Sequence, residues 1–212
     1  MSHDLKTTLT RMRLRTELLE DGSLRGKFET DLLEMEAMVT QTLEFMRGLS
    51  IREPTQNVDI MGLLESLQAD NETMGRTVTI DGRVARPVTG VPQLLRRCLS
   101  NLVDNAILYG KCAEIRVEDG PEQLAIRVRD HGPGMPDSEI EKVFEPFYRL
   151  EGSRSRETGG TGLGLSIARN IAQAHGGDVR LRNHEDGGLE AILTLPWNRE
   201  PGAPNGQGPA VP

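Results

Sequence analysis

Residues 101–109 read Asn101-Leu102-Val103-Asp104-Asn105-Ala106-Ile107-Leu108-Tyr109. Asn101 and Asn105 stand four residues apart, on one face of a helix, with Asp104 beside them. Asparagine is a poor interior helix residue, so a pair of them in an otherwise apolar helix needs a reason. Amide oxygens aimed at a phosphate site would suit Mg2+, a hard ion that takes oxygen ligands. For either asparagine alone, a hydrogen-bonded core residue is the plainer reading. The helix reaches back to Pro92, and the pattern on both sides alternates between strands and helices. Upstream, Ile60–Asn71 reads as a helix, and Val78–Ile80 and Val88–Gly90 read as short strands. Downstream, strands at Glu114–Glu118 and Leu124–Arg129 join through Gly120-Pro121. A glycine-rich irregular stretch then leads to a helix over Gly162–His175, and strands Val179–Asn183 and Glu190–Leu195 close the series through Gly187-Gly188. Mixed strands and helices over one stretch predict an α+β fold, a two-layer α/β sandwich.

The N-terminal quarter is different. Apolar or small residues recur at Leu5, Leu9, Met12, Thr16 and Leu19, then at Phe28, Leu32, Met35, Val39, Thr42, Met46 and Leu49, alternating steps of four and three. Asp21-Gly22-Ser23 between them reads as the turn of a helical hairpin, and Pro54 ends the second helix. One hairpin cannot bury both seams. Pairing with a second copy as a four-helix bundle is the natural remedy, packing on the downstream domain the alternative. The last segment, Arg199–Pro212, holds four Pro and three Gly, a composition that reads as a disordered tail.

Composition excludes several classes. A formal net charge of −7 argues against a general nucleic-acid or anionic-membrane binder. Two isolated cysteines, Cys98 and Cys112, suit neither a disulfide framework nor a zinc cluster and fit a reducing compartment. No apolar run approaches the roughly 20 residues of a membrane span.

Three further segments carry chemistry. Ser2-His3-Asp4-Leu5-Lys6-Thr7-Thr8-Leu9 places a histidine beside a carboxylate at a helix start. Ser2 as an N-cap with Asp4 at the positive helix end is one reading. The other makes His3 a nucleophile whose ring N–H is held by Asp4, which fixes the tautomer and offsets developing charge. Asp130-His131-Gly132-Pro133-Gly134-Met135 follows a strand; its glycines let backbone approach a flat ligand, and its carboxylate can accept from an exocyclic amine, unless it is a simple Asp-Gly turn. Gly159-Gly160-Thr161-Gly162-Leu163-Gly164 opens a helix, where backbone N–H groups and the dipole form an anion site.

Taken in order, these segments resemble the sensor histidine kinase family. Ser2–Leu9 is similar to its H box, Asn101–Tyr109 to its N box, Asp130–Gly134 to its G1 box, Phe144-Glu145-Pro146-Phe147-Tyr148-Arg149 to its F box and Gly160–Leu165 to its G2 box. The H box is nearest the osmosensor-type kinases. The resemblance implies a dimerisation and phosphoacceptor hairpin over residues 1–52, a catalytic ATP-binding domain of the Bergerat type over 53–198 and a tail over 199–212. It implies that His3 takes the ATP γ-phosphoryl group, that Asp4 is its acid/base partner, and that Thr7 orients water in dephosphorylation. It gives Asn105 to Mg2+, Asn101 to the phosphate side, Tyr109 to the nucleotide site, and Asp130, Gly132 and Gly134 to adenine. Gly160, Thr161, Gly162, Leu163 and Gly164 would wrap the phosphates, and Leu150–Thr158 would form an ATP lid anchored by Phe144 and Phe147. The implied partners are a second copy of the chain and a response regulator receiver domain, with no nucleic acid and no direct membrane contact in this stretch. The implied setting is cytoplasmic, with an inner-membrane anchor on a longer protein, since only two residues precede His3.

Three positions depart from the family pattern. Thr8 stands where proline is usual, and Leu108 where a basic residue often precedes the tyrosine, with Lys111, Arg154 or Arg156 as substitutes. The third is the near-terminal place of His3. These departures leave room for a catalytically weak nucleotide-binding scaffold, or for another Bergerat-type ATPase.

Overall fold

The structure is a computed structural model that describes residues 10–18, 21–32, 35, 54–150 and 161–197. From residue 56 the order is β1 (Gln56–Val58), α1 (Ile60–Thr73), β2 (Thr77–Asp81), β3 (Val88–Gly90), α2 (Pro92–Gly110), β4 (Cys112–Asp119), β5 (Gln123–Arg129), α3 (Gly164–Ala174), β6 (Asp178–Asn183) and β7 (Leu189–Pro196). Strands β2-β4-β5-β7-β6 form one sheet, with only β2 and β4 parallel; β1 and β3 form a separate antiparallel pair. This is the α+β sandwich that the sequence predicts.

Strand alternation decides which face is covered. Ile115, Val117, Leu124, Ile126, Val128, Leu193 and Leu195 are buried, while their neighbours Glu114, Arg116 and Glu118 are exposed. One face is therefore apolar and lies under the helices, and the other is charged and faces solvent. α2 supplies the largest helical share of the core, through Leu94, Leu95, Cys98, Leu99, Leu102, Val103 and Ala106. Pro92 at its first turn suits a start where backbone N–H groups have no helical acceptor. Lys111, in the left-handed region at φ 62°, ends it.

β1 is absent from the sequence reading, because three residues so soon after Pro54 carry too little alternation to register as a strand. α3 starts two residues later than expected: Gly162 takes φ +73°, outside helical space. The irregular stretch holds two 3-10 turns, Asp137–Glu139 and Lys142–Phe144. In the N-terminal part, residues 10–16 and 22–32 are helical. Asp21 caps the second segment, its Oδ1 accepting the Ser23 and Leu24 N–H groups, so Gly22 and Ser23 open a helix instead of forming the turn. The heptad positions beyond Met35 and the tail lie outside the described residues. No helix among the described residues is long and apolar enough to cross a membrane.

Arg169 on α3 ties three elements together. It pairs with Glu141 at 2.8 Å and Asp178 at 3.1 Å, and its guanidinium lies 4.3 Å from the Phe144 ring centroid. Burial alone would raise the Asp178 carboxyl, but the hydrogen bond and charge of Arg169 outweigh it and hold the group below the usual carboxylate range.

Asp178→Asn should therefore lower Tm near neutral pH. The gap to the parent should shrink as pH falls below about 3.9, where the unfolded carboxyl is already protonated, and through the lower folded value. A thermal melt series across pH checks this. Burial pushes the Cys98 thiol up to about 12, so Cys98 should resist alkylation in the native state at about pH 8 while half-buried Cys112 reacts. Mass spectrometry of the modified chain reads both.

Candidate nucleotide site

The C-terminal half of α2 presents two faces. Leu102, Val103 and Ala106 point into the core, and Asn101, Asn105 and Tyr109, spaced at i, i+4 and i+8, share the other side. Asn101 and Asn105 are half-buried and Tyr109 is exposed. The Asn101 Nδ2 is shut off from solvent with no hydrogen-bond partner among the described residues. An unsatisfied buried donor costs about 1–3 kcal/mol, which a phosphate oxygen would relieve. Asp104 sits beside this stripe, 3.6 Å from Arg76; burial raises its carboxyl and Arg76 opposes the shift.

At the end of α2, the chain packs against the loop after β5. The N–H of Asp130 donates to the Leu189 carbonyl at 2.9 Å, and its Oδ1 accepts the Gly132 N–H at 2.7 Å and the Leu189 N–H at 3.1 Å. Its Oδ2 takes no partner among the described residues, and the residue is buried. Three glycines permit this seat. A Cβ on Gly110 would stand 2.6 Å from Asp130 Cβ, one on Gly132 would stand 2.8 Å from the Tyr109 carbonyl oxygen, and one on Gly188, at φ +84°, would collide with the Asp130 carbonyl. A Cβ on Gly134 would stand 2.7 Å from Asn183 Oδ1. Asn183 holds that loop by accepting the Met135 N–H at 3.0 Å and donating to the Met135 carbonyl at 2.8 Å.

Gly132 and Gly134, which the sequence reading gives to the ligand, also permit close protein contacts, with the Tyr109 carbonyl and with Asn183. Gly110, Gly188 and Asn183 escape that reading. A glycine directly after Tyr109 and the second glycine of the β6–β7 turn were the available signals, but only the fold brings them to Asp130.

The other end of the site lies where α3 begins. Leu163 is fully buried and provides no side-chain cap, and the first turn of α3 has no acidic residue, which leaves its leading N–H groups for an anion. Leu163 thus anchors the loop, and only its backbone can face a ligand. A Cβ on Gly164 would stand 3.7 Å from Asn101 Oδ1, so this terminus opens opposite the asparagine stripe. The glycine loop is clasped to the Phe144–Arg149 segment: the Phe147 N–H donates to the Gly162 carbonyl at 3.0 Å. Gly162 at φ +73° lies so close that a Cβ would stand 2.8 Å from the Tyr148 carbonyl oxygen. Tyr148 in turn hydrogen-bonds Glu139 through its hydroxyl. Phe144 is the buried anchor here, whereas Phe147, 59% exposed at φ 67°, holds on through its backbone.

Thr161 is half-buried beside this clasp. His3, Asp4, Thr7 and Gly160, with Arg154 and Arg156, lie outside the described residues. Leu108 is exposed and Lys111 caps α2. The structure therefore brings Asn101, Asn105 and Tyr109 together with Asp130 at one end and Gly164 at the other. From Asn101 to Tyr109, eight residues of helix at 1.5 Å each span about 12 Å, an extent that suits an extended nucleotide. Among the described residues no three His, Cys, Asp or Glu side chains group to hold a metal ion. A cation here would rest on Asn105 and on phosphate oxygens, an arrangement common for Mg2+. The residues present fit a magnesium nucleotide.

Residues 90–199 match the model of the histidine kinase-, DNA gyrase B- and HSP90-like ATPase family. The chain is 46% identical over 196 residues to the sensor histidine kinase GtrS of Pseudomonas aeruginosa, covering 92% of this chain and 40% of that protein. It is 33% identical over 207 residues to the sensor histidine kinase CpxA of Escherichia coli, covering 92% of this chain and 45% of that one. Among solved structures, full-length ShkA in complex with AMPPNP superposes with a TM-score of 0.72 at 22% identity, over 92% of this chain and 44% of that chain, a likeness of fold. The chain spans less than half the length of these relatives. With its two-layer sandwich, its nucleotide-sized stripe on α2 and a family match over more than half its length, the chain belongs to the histidine kinase-, DNA gyrase B- and HSP90-like ATPases, with sensor histidine kinases among its relatives.

Proposed function

We propose that the chain is the catalytic core of a two-component sensor histidine kinase, which phosphorylates its own His3 from Mg-ATP and passes the group to an aspartate of a response regulator receiver domain. The observation that carries this reading is the polar stripe of α2 laid between two differently equipped ends. Asp130, with one carboxylate oxygen fixed by backbone N–H groups, leaves the other to accept from an adenine amine. At the far end, the Asn101 amide nitrogen and the leading N–H groups of α3 face a polyphosphate. Asn105 lies between them as the metal-side ligand, and Tyr109 flanks the base. Bound Mg-ATP supplies the transferable phosphoryl group and the neutralising cation. Such transfer asks mainly positioning and charge stabilisation of the protein.

In this reading Asp4 would hold the ring N–H of His3, so that the other nitrogen keeps its lone pair for attack. Thr7, three residues beyond Asp4 in the sequence, would orient water for the reverse task of clearing phosphate from the regulator. The heptad seams imply a homodimer, and the relatives' greater length suits a membrane-anchored parent protein with this part in the cytoplasm. Leu108, exposed where the family often has a basic residue, favours a second reading: a nucleotide-binding dimeric scaffold with weak catalysis.

Incubation with ATP labelled at the γ-phosphate should give an acid-labile, base-stable adduct on the parent chain and none on His3→Gln. Label persisting in that variant removes His3 from the mechanism, and nucleotide binding without any label supports the scaffold. Asn105→Ala should lose at least about 100-fold in labelling rate, within the range of a missing electrostatic contact at a transferring group, while its melting temperature stays near the parent's. Unchanged labelling in that variant contradicts the metal-side role.

A further inference from the structure

α2 and α3 run antiparallel, and three contacts set their register. A Cβ on Gly164, at the start of α3, would stand 3.7 Å from Asn101 Oδ1. One turn further along, the Cys98 Sγ lies 3.4 Å from the Ala168 carbonyl oxygen. At the far end, His175 closes α3. Its Nε2 accepts the Val91 N–H at 3.1 Å, and its Nδ1 lies 2.7 Å from the Ile171 carbonyl oxygen. A carbonyl oxygen cannot donate and an N–H cannot accept, so this pair of bonds requires the neutral ring with its proton on Nδ1. From Asn101 to Val91 the step is ten residues, and from Gly164 to His175 eleven, or about 15 and 16 Å of helix.

The three contacts differ in how firmly they hold that register. Gly164 against Asn101 is ordinary van der Waals distance, and a thiol is a weak donor. The apolar residues between them, Leu94, Leu95, Leu102, Ile167 and Ile171 among them, fill space without specifying alignment to one residue. The His175 ring is buried, 9% exposed, and joins two backbone groups 80 residues apart in the chain, Val91 and Ile171. A well-satisfied buried polar group in a largely apolar helix seam is the kind that fixes register, because slippage leaves its partners unsatisfied.

We propose that His175 is a positioning residue. Its neutral imidazole pins the end of α3 to the residue before α2, and the rigid pair carries that alignment to the opposite end, where Asn101 meets Gly164. It touches no nucleotide. Its effect on the nucleotide rests on the function proposed above, while its effect on register does not.

Two substitutions separate the bonds. His175→Gln keeps a donor and an acceptor with nearly the reach of the ring. His175→Asn keeps the donor to Ile171, as Asn71 does toward Leu67 at 2.9 Å on α1, but is too short to take the Val91 N–H. In the absence of nucleotide, amide exchange at Gly164–Ser166 should be faster in the Asn variant and near the parent's in the Gln variant. Mg-ATP affinity should fall about tenfold in the Asn variant, the scale of one lost buried hydrogen bond, and be restored in the Gln variant. Val78→Ala, a core truncation on β2 away from both helices, should lower Tm without moving either readout. Parent-like exchange at Gly164–Ser166 in the Asn variant, or an equal response to Val78→Ala, overturns the positioning role. A parent chain that takes up no Mg-ATP overturns the proposed function, whereas the exchange comparison still decides the register.

Discussion

The site depends on the way Asp130 is seated. One oxygen of its carboxylate accepts two backbone N–H groups, from Gly132 and Leu189, so the loop after β5 and the start of β7 are locked to the same atom. A carboxylate held by backbone donors has lost most of its freedom to rotate, which aims the second oxygen without help from a ligand. The seat exists only because α2, the β5 loop and the β6–β7 turn approach to backbone contact, and glycines at 110, 132 and 188 are the residues that let them. A methyl group at any of the three would separate those elements.

α2 does two jobs with one sequence. Its apolar side buries seven residues against the sheet and α3, each large aliphatic worth about 1.5–3 kcal/mol when fully removed from water. That burial holds rigid a polar stripe that is locally unfavourable. The Asn101 amide nitrogen lacks a partner among the described residues, and Asp104 is pushed toward its neutral form by partial burial. Local disfavour of this kind, concentrated on one stripe of a well-packed helix, marks residues kept for binding in place of stability.

Most of the fold was legible because the signals it uses are short-range. Strand alternation located β4, β5, β6 and β7 to within two residues at each end, and Pro92 marked the start of α2. The order of the site segments was legible for the same reason, since each is a run of neighbouring residues. What sequence could not show was mutual approach. Gly110 reads as a helix stop and Gly188 as a hairpin glycine, and both descriptions are true locally; their contact with Asp130 is a property of packing. Asp21 reads as a turn residue and serves as a cap, because a capping aspartate and a turn aspartate look alike in sequence. His175 followed by two glycines looked like a helix end and nothing more, although both ring nitrogens are engaged by backbone groups.

The clasp between Phe147 and Gly162 has a consequence for the length of chain between them. The Phe147 N–H meets the Gly162 carbonyl at 3.0 Å beside a tight backbone crossing, so the described residues on either side hold two points fifteen positions apart in the sequence close together. Loop-closure entropy grows only with the logarithm of length, about 0.6 kcal/mol per doubling. A change in the number of residues between those two points therefore carries only a small closure cost, and the seat of Asp130 and the stripe on α2, built from other elements, do not depend on that number.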